Sequence, residues 1–473
     1  MIVPRHIVRG CLLTGETLYL GRSVTFPIYP PIPMAASTRF CFTWHAGRVR
    51  YLFIAVFPVV CLAACSPTEA PMNARTDPEF NYRRTLPPLL QTESGSPVQS
   101  PESWREVRRP ELVRLVLEHE YGIMPPPPAE IGVEVLQEDP AYLDGEAVKK
   151  LVRLTVGPPG TPTIDVLLIA PSGVQGASPV ILALNFMGNH ATIDDPTIPL
   201  TPHWLPDRGE GVVDNRATEA ARGTVADRWP FREIITRGYA VATFYHGDVD
   251  PDRDDFTDGI HPHLPVAGSV ERTDTSWGTL AAWAWGMQRG VDYLLQEPLV
   301  DPARIAVMGH SRNGKATLLA AATDERIALA ISNQSGCGGA AISRRRVGET
   351  VEAINTAFPH WFNRRFRTYN GNEDAMPIDQ HSLLALIAPR PLLVMSAEAD
   401  TWADPLGEFL SLVEVDPVYR LLRGDSLASR DMPPVNTLMR GALGYHIRPG
   451  EHGVGVADWM VFIDFANDHF EGR

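Results

Sequence analysis

The stretch Ile305-Ala306-Val307-Met308-Gly309-His310-Ser311-Arg312-Asn313-Gly314-Lys315-Ala316 decides how this chain is read. An apolar run of strand length ends at a glycine, a serine follows two residues later, and the residues beyond it suit a helix. Strand, tight turn and helix in that order form a nucleophile elbow, which would hold Ser311 at the C-terminal edge of a sheet. Gly309 is small because the strand passes close by. The usual G-x-S-x-G pattern would place a glycine at 313, but Asn313 stands there and Gly314 follows. Asn tolerates positive φ better than most residues, so the turn remains possible.

Outward from this motif the pattern alternates. Short apolar runs at 151–156, 164–170, 179–185, 240–245, 305–309, 328–333, 391–396 and 444–448 fit strands. Helical stretches lie between several of them. One covers 278–295, with Leu280, Trp283, Met287, Val291 and Leu294 at three- and four-residue steps; another starts after Ser311, and a last one covers 457–469. Strands alternating with helices predict a three-layer αβα sandwich with a mostly parallel central sheet. The first two runs read as an antiparallel lead-in. A further helix is expected from Pro110 to Tyr121, closed by Gly122.

A serine nucleophile needs a base and an acid that orients it, and the elbow fold supplies them in the chain order Ser, Asp or Glu, His. His452, in Gly450-Glu451-His452-Gly453 after the last strand, is the expected base. His446 lies within the strand pattern and is assigned to packing or a structural hydrogen bond, and His310 should point elsewhere on the turn. Three carboxylates follow the run 391–396: Glu398, Asp400 and Asp404. Asp400 is the first choice and Glu398 the second, while Asp404, followed by Pro405, reads as a helix cap. The Arg312 N–H opens the helix after the elbow, so it and its side chain suit the developing oxyanion. Lys315 lies one turn further on the same face.

Of the 473 residues 44% are hydrophobic and 21% charged, an ordinary globular composition with material for a large core. The net charge is −14, and residues 1–64 carry six arginines against Glu16 alone, which leaves −19 on the remainder. So acidic a body excludes nucleic acid and anionic lipid as partners of its general field. Arg48 and Arg50 precede a short apolar run ending in Leu62-Ala63-Ala64-Cys65. This reads as a secretory signal with a bacterial lipobox, too short to span a membrane, with Cys65 as the lipidated residue. Met34 as the start would set the signal at a normal distance. Ser66 favours the outer membrane, so an exported protein is expected, periplasmic or anchored there, touching membrane only through its lipid. Residues 65–109, rich in Pro and Ser, are expected to be a disordered tether, and 110–473 one catalytic domain. Cys11, Cys41 and Cys61 leave with the signal, so Cys337 remains alone and no internal disulfide is expected. Asp248–Asp258 starts like a calcium loop but has Arg253 where Gly belongs and Gly259 where Glu belongs. His261 and His263 are too isolated for zinc. No metal or cofactor is expected.

The segment 309–316 resembles the G-C/H-S-R-x-G-K motif of the glucuronoyl esterases, carbohydrate esterase family 15. The likeness continues through 108–125, 246–262, 344–362, 377–392, 397–409 and 446–454, and is nearest the bacterial branch. It implies an α/β-hydrolase fold and cleavage of esters between lignin alcohols and the (4-O-methyl-)glucuronic acid of xylan. It implies Ser311 as nucleophile, His452 as base, Arg312 at the oxyanion, Lys315 on sugar hydroxyls, and Glu352, Trp361 and Trp402 around the uronate. Fungal members place the acid just before an S-G-x-G-G segment. Here that position is Gln334, which cannot be the charged partner of a histidine, so the resemblance agrees with an acid after the later strand. Cys337 stands where the family has a small residue. Two other readings are an esterase for a different polysaccharide ester, such as acetyl xylan, and an inactive glycan-binding scaffold. A monomer is expected.

Overall fold

The computed structural model describes residues 82–173, 176–265 and 271–470. The signal segment, Cys65 and residues 66–81 lie outside the described residues. The strands are β1 (Gly132–Tyr142), β2 (Ala147–Thr155), β3 (Thr163–Pro171), β4 (Ser178–Asn185), β5 (Val212–Val213), β6 (Arg216–Ala217), β7 (Ala240–Tyr245), β8 (Val300–His310), β9 (Leu329–Asn333), β10 (Leu392–Ala397) and β11 (Leu443–Arg448). Nine of them form one sheet in the order β1-β2-β3-β7-β4-β8-β9-β10-β11, and β5 and β6 form a separate hairpin. Pairing is antiparallel from β1 to β7 and parallel from β7 to β11.

The core strands are buried on both faces, which is why they read as continuous apolar runs. In β8, Ile305 and Val307 join one core while Ala306 and Met308 join the other. The first core is closed by the helices Thr279–Leu294, Arg312–Thr323 and Pro405–Arg423, the second by Phe231–Thr236 and Val456–Phe470. Each fully buried Leu, Ile or Phe contributes about 1.5–3 kcal/mol. The result is the expected three-layer sandwich. β1 escaped sequence reading because it is an edge strand with polar residues throughout and Val133 and Val135 exposed.

Residues 82–109 correct the tether expectation. Leu89, Val98 and Trp104 lie in the main core. Arg108 is buried and donates from Nε to Leu89 O at 3.0 Å and from Nη2 to Pro88 O at 2.9 Å. The expected helix at Pro110 starts earlier, at Pro101, behind a capping box of Ser100 and Ser103. It continues to Tyr121 through two π-type turns, Trp104–Arg108 and Leu117–Tyr121, and ends at Gly122 with φ +92°. Composition suggested a tether because the apolar residues are sparse and have no period, yet Tyr82, Leu89, Val98 and Trp104 are buried.

Candidate active site

β8 delivers Ser311 into a backbone conformation of φ 58°, ψ −129°, which a residue with a Cβ enters only under strain. Hydrogen bonds hold it there: Ser311 N donates to Asn333 O at 2.9 Å, and Gly314 N donates to Ser311 O at 2.8 Å. Gly309 is obligatory, since a Cβ would overlap the carbonyl of Asn313 and the hydroxyl of Thr317. The departure at 313 also has an account. Asn313 is fully buried, donates to Leu184 O at 3.1 Å and accepts from His246 Nδ1 at 2.9 Å, so it locks the elbow to β4 and to the turn after β7.

The turn after β10 carries Asp400 and the loop after β11 carries His452, and parallel pairing of these strands brings the two together. His452 Nδ1 lies 2.6 Å from Asp400 Oδ2. A carboxylate only accepts, so Nδ1 carries the proton and Nε2 is left with its lone pair. Asp400 is 6% exposed and is further held by Ala403 N, which donates to its Oδ1 at 3.3 Å. Glu398 is exposed and does not meet His452. Asp404 caps the helix Pro405–Arg423, accepting from Gly407 N at 3.0 Å, as expected. His446 is buried within β11. His310 packs at 4.5 Å against the His452 ring and accepts from Asn333 Nδ2 at 3.0 Å. Burial, then the neighbouring His452, keeps its pKa well below the ordinary imidazole value, so it stays neutral.

The loop of His452 is clamped from the opposite side. Gly453 N donates to Gln334 Oε1 at 2.8 Å, Asn333 Nδ2 donates to Gly453 O at 3.2 Å, and Arg448 Nη2 donates to Glu451 O at 2.9 Å. Gln334 thus meets the histidine loop through its backbone.

Arg312 lies at the start of the elbow helix, and its Nη1 donates to Asp252 Oδ2. Its guanidinium sits 4.7 Å over the Trp361 ring and 5.1 Å over Phe358. Asp252 Oδ1 accepts from His360 Nε2 at 2.9 Å and from Trp361 Nε1 at 2.8 Å. Burial alone would raise the Asp252 carboxyl, but Arg312 and these donors outweigh it and hold it below the usual carboxylate range. Asp252, His360 and Glu349 were not singled out in the sequence. A hint for Asp252 was its place in the segment 246–262, in the loop after a core strand.

Three expected substrate contacts need correction. Lys315 is 3% exposed and its Nζ donates to Ser335 O, Cys337 O and Glu349, so its three protons are engaged within the protein. Glu352 stands on the exposed side of the helix Val351–Ala357, and Glu349 takes the inner place beside Lys315. Trp361 is 3% exposed, with one face covered by Phe358 at 3.8 Å, so it supports Arg312 and offers no open face. Trp402, two residues beyond Asp400, is 58% exposed and presents a free apolar surface. Its carbonyl accepts from Glu349 N at 2.9 Å, and a side chain at Gly348 would overlap it. Cys337 is a buried thiol, and burial pushes its pKa up. No group of three or more His, Cys, Asp or Glu able to hold a metal occurs among the described residues.

Residues 233–423 match the family model of the fungal glucuronyl esterases. The carbohydrate esterase MZ0003, from an unidentified prokaryote, is 43% identical over 83% of this chain and 93% of its own length. The structure of a promiscuous esterase of carbohydrate esterase family 15, from a marine bacterial metagenome, superposes with a TM-score of 0.76 at 43% identity, covering 83% of this chain and all of its own. The glucuronoyl esterase of Solibacter usitatus gives a TM-score of 0.76 at 40% identity over 81% and 98% of the two chains. A 4-O-methyl-glucuronoyl methylesterase of Phanerochaete carnosa is 27% identical over 79% and 81%.

Proposed function

The chain belongs to carbohydrate esterase family 15, the glucuronoyl esterases, and we propose that it hydrolyses glucuronate esters of xylan through an acyl-enzyme on Ser311. It is a carboxylic ester hydrolase. The observation that carries the site assignment is the 2.6 Å contact of His452 Nδ1 with buried Asp400. His452 Nε2 takes the proton as Ser311 Oγ adds to the ester carbonyl, and Asp400 stabilises the imidazolium that forms. The carbonyl oxygen becomes negative, and the Arg312 N–H and guanidinium stabilise it more in the transition state than in the neutral ester. Collapse expels the alcohol, to which His452 returns the proton. Water, deprotonated by the same histidine, then releases glucuronate and restores Ser311.

Asp252 keeps Arg312 in place, and Trp402 supplies the exposed face suited to a pyranose ring. A His452→Ala variant incubated with benzyl glucuronate, together with fluorophosphonate labelling of the native chain, tests the assignment. Labelling confined to the Ser311 peptide supports it, and labelling elsewhere overturns it. A second reading, a broader esterase that also takes acetylated xylan, is favoured by likeness to the promiscuous marine esterase; turnover of acetylated xylan beside glucuronate esters separates the two. Export with a lipid on Cys65 rests on Leu62-Ala63-Ala64-Cys65, and metabolic labelling with palmitate in a bacterial host checks it. The esterase is proposed to work as a monomer.

A further inference from the structure

A cavity of about 220 Å³ opens beside β3 and β7 and is not lined by any residue of the Ser311 site. Its aliphatic walls include Leu151, Ile198 and Leu200, and its charged or ionisable lining includes Arg153, Asp165 and Asp248, beside the polar Asn189, Thr201 and Tyr245. Arg153 grips Asp165 from Nε and Nη2, both at 2.8 Å. Its Nη1 makes no hydrogen bond among the described residues. Asp248 is 4% exposed, and its Oδ2 accepts from Asp165 N at 3.2 Å. Its Oδ1 has no hydrogen-bond donor among the described residues, since His203 Nε2 stands 3.8 Å away. Both residues line the cavity, and Asp248 Oδ1 and Arg153 Nη1 are left without a hydrogen-bond partner among the described residues.

The charge balance selects the ligand. Arg153 is neutralised by Asp165. Burial, then the nearby Asp165, pushes the Asp248 carboxyl well above its usual pKa, which favours its neutral form. An anion would meet carboxyl oxygens and a cation would meet a guanidinium. A neutral polyhydroxylated ring fits, with hydroxyls for the polar groups and ring faces for the aliphatic walls.

The position is also informative. Leu167 of β3 pairs with Thr243 of β7, which places Asp165 beside the C-terminal end of β7. β7, β4 and β8 run parallel, so this is the edge on which Ser311 sits. Three strand steps separate β3, which lines the cavity, from β8, which delivers Ser311, about 14 Å between the two strands, a span on the scale of a short run of pyranose rings.

We propose that this cavity is a second glycan subsite, which seats one neutral pyranose of the polysaccharide main chain that bears the ester. The inference rests on the proposed glucuronoyl esterase reading. Its test compares Leu200→Trp, which fills the cavity from its partly exposed rim, and Arg153→Gln with the native chain. Two substrates are used: a glucuronate ester carried on a xylo-oligosaccharide, and benzyl glucuronate. Both variants should lose about tenfold in kcat/KM, through KM, on the first and nothing on the second. Equal losses on both substrates, or none on the first, overturn the proposal. Calorimetry with unesterified xylo-oligosaccharide on Ser311→Ala chain reads the cavity without turnover. Binding that disappears with Leu200→Trp supports the subsite, and binding that survives, or none at all, overturns it. A native chain inert toward benzyl glucuronate would instead sink the esterase reading, and the calorimetry would still stand.

Discussion

Asp252 fastens Arg312 beside the candidate nucleophile: the Arg312 Nη1 donates to its Oδ2, while its Oδ1 is held by His360 and Trp361. The guanidinium is therefore fixed before substrate arrives, which is the arrangement that electrostatic stabilisation of an oxyanion requires. Asp252→Asn keeps the shape and removes the charge. It should lower kcat on benzyl glucuronate by about tenfold to a hundredfold with little change in KM. A rise in KM alone would show that Arg312 binds ground-state substrate.

The acid is separable from its neighbour by substitution. Asp400→Asn leaves His452 without a charged partner and should cost on the order of a thousandfold in kcat. Glu398→Gln, at an exposed position, should stay within about threefold of native. Steady-state kinetics on both variants checks the order, and the reverse order would reassign the acid.

Two buried carboxyls set a pH dependence of stability. Glu408 and Glu120 are each pushed up to about 8, in both cases chiefly by burial. Their unfolded values lie near 4.5, so between pH 4.5 and 8 the folded chain holds protons that the unfolded chain has lost. The stability they support is complete below about 4.5 and falls as pH rises toward 8. Glu120→Gln removes one of these titrations while keeping the shape and the Gln380 contact. Thermal melts should show a flatter decline from pH 5 to 8, with the variant gaining more than about 1 kcal/mol on native at pH 8 relative to pH 5. Parallel curves would contradict the burial argument.

The segment 82–109 is part of the folded body. Trp104→Ala should cost about 3–5 kcal/mol, read from denaturant unfolding. A chain starting at Pro110 should fail to fold, whereas one starting at Thr68 should melt like the full chain. An unchanged melt for the shorter chain would restore the tether reading.

These cases show where sequence reading works and where it stops. The parallel strands were legible because burial on both faces leaves uninterrupted apolar runs such as Ile305–Met308. β1 was not, because an exposed edge strand has no such run. Ser311, Asp400 and His452, the proposed triad, were named through chain order and the loops that end strands, and the contact of His452 with Asp400 fits that choice. Asp252 and Glu349 were missed because their meaning lies in long-range partners, Arg312 and Lys315, that no local spacing reveals. Lys315 was placed on the right helix face, but its depth, and the carbonyls of Ser335 and Cys337 that consume its protons, are tertiary facts. Glu352 was the carboxylate named from the sequence, and it lies on the exposed helix side, three residues beyond the Glu349 that meets Lys315.

The central claim is that Ser311 is the nucleophile of a glucuronoyl esterase. The most direct test is kcat/KM of purified native and Ser311→Ala chains on benzyl glucuronate, with folding of both verified by thermal melt. The account predicts hydrolysis by the native chain and a loss of about a thousandfold or more in the variant; a folded Ser311→Ala chain that retains native-like activity would contradict it.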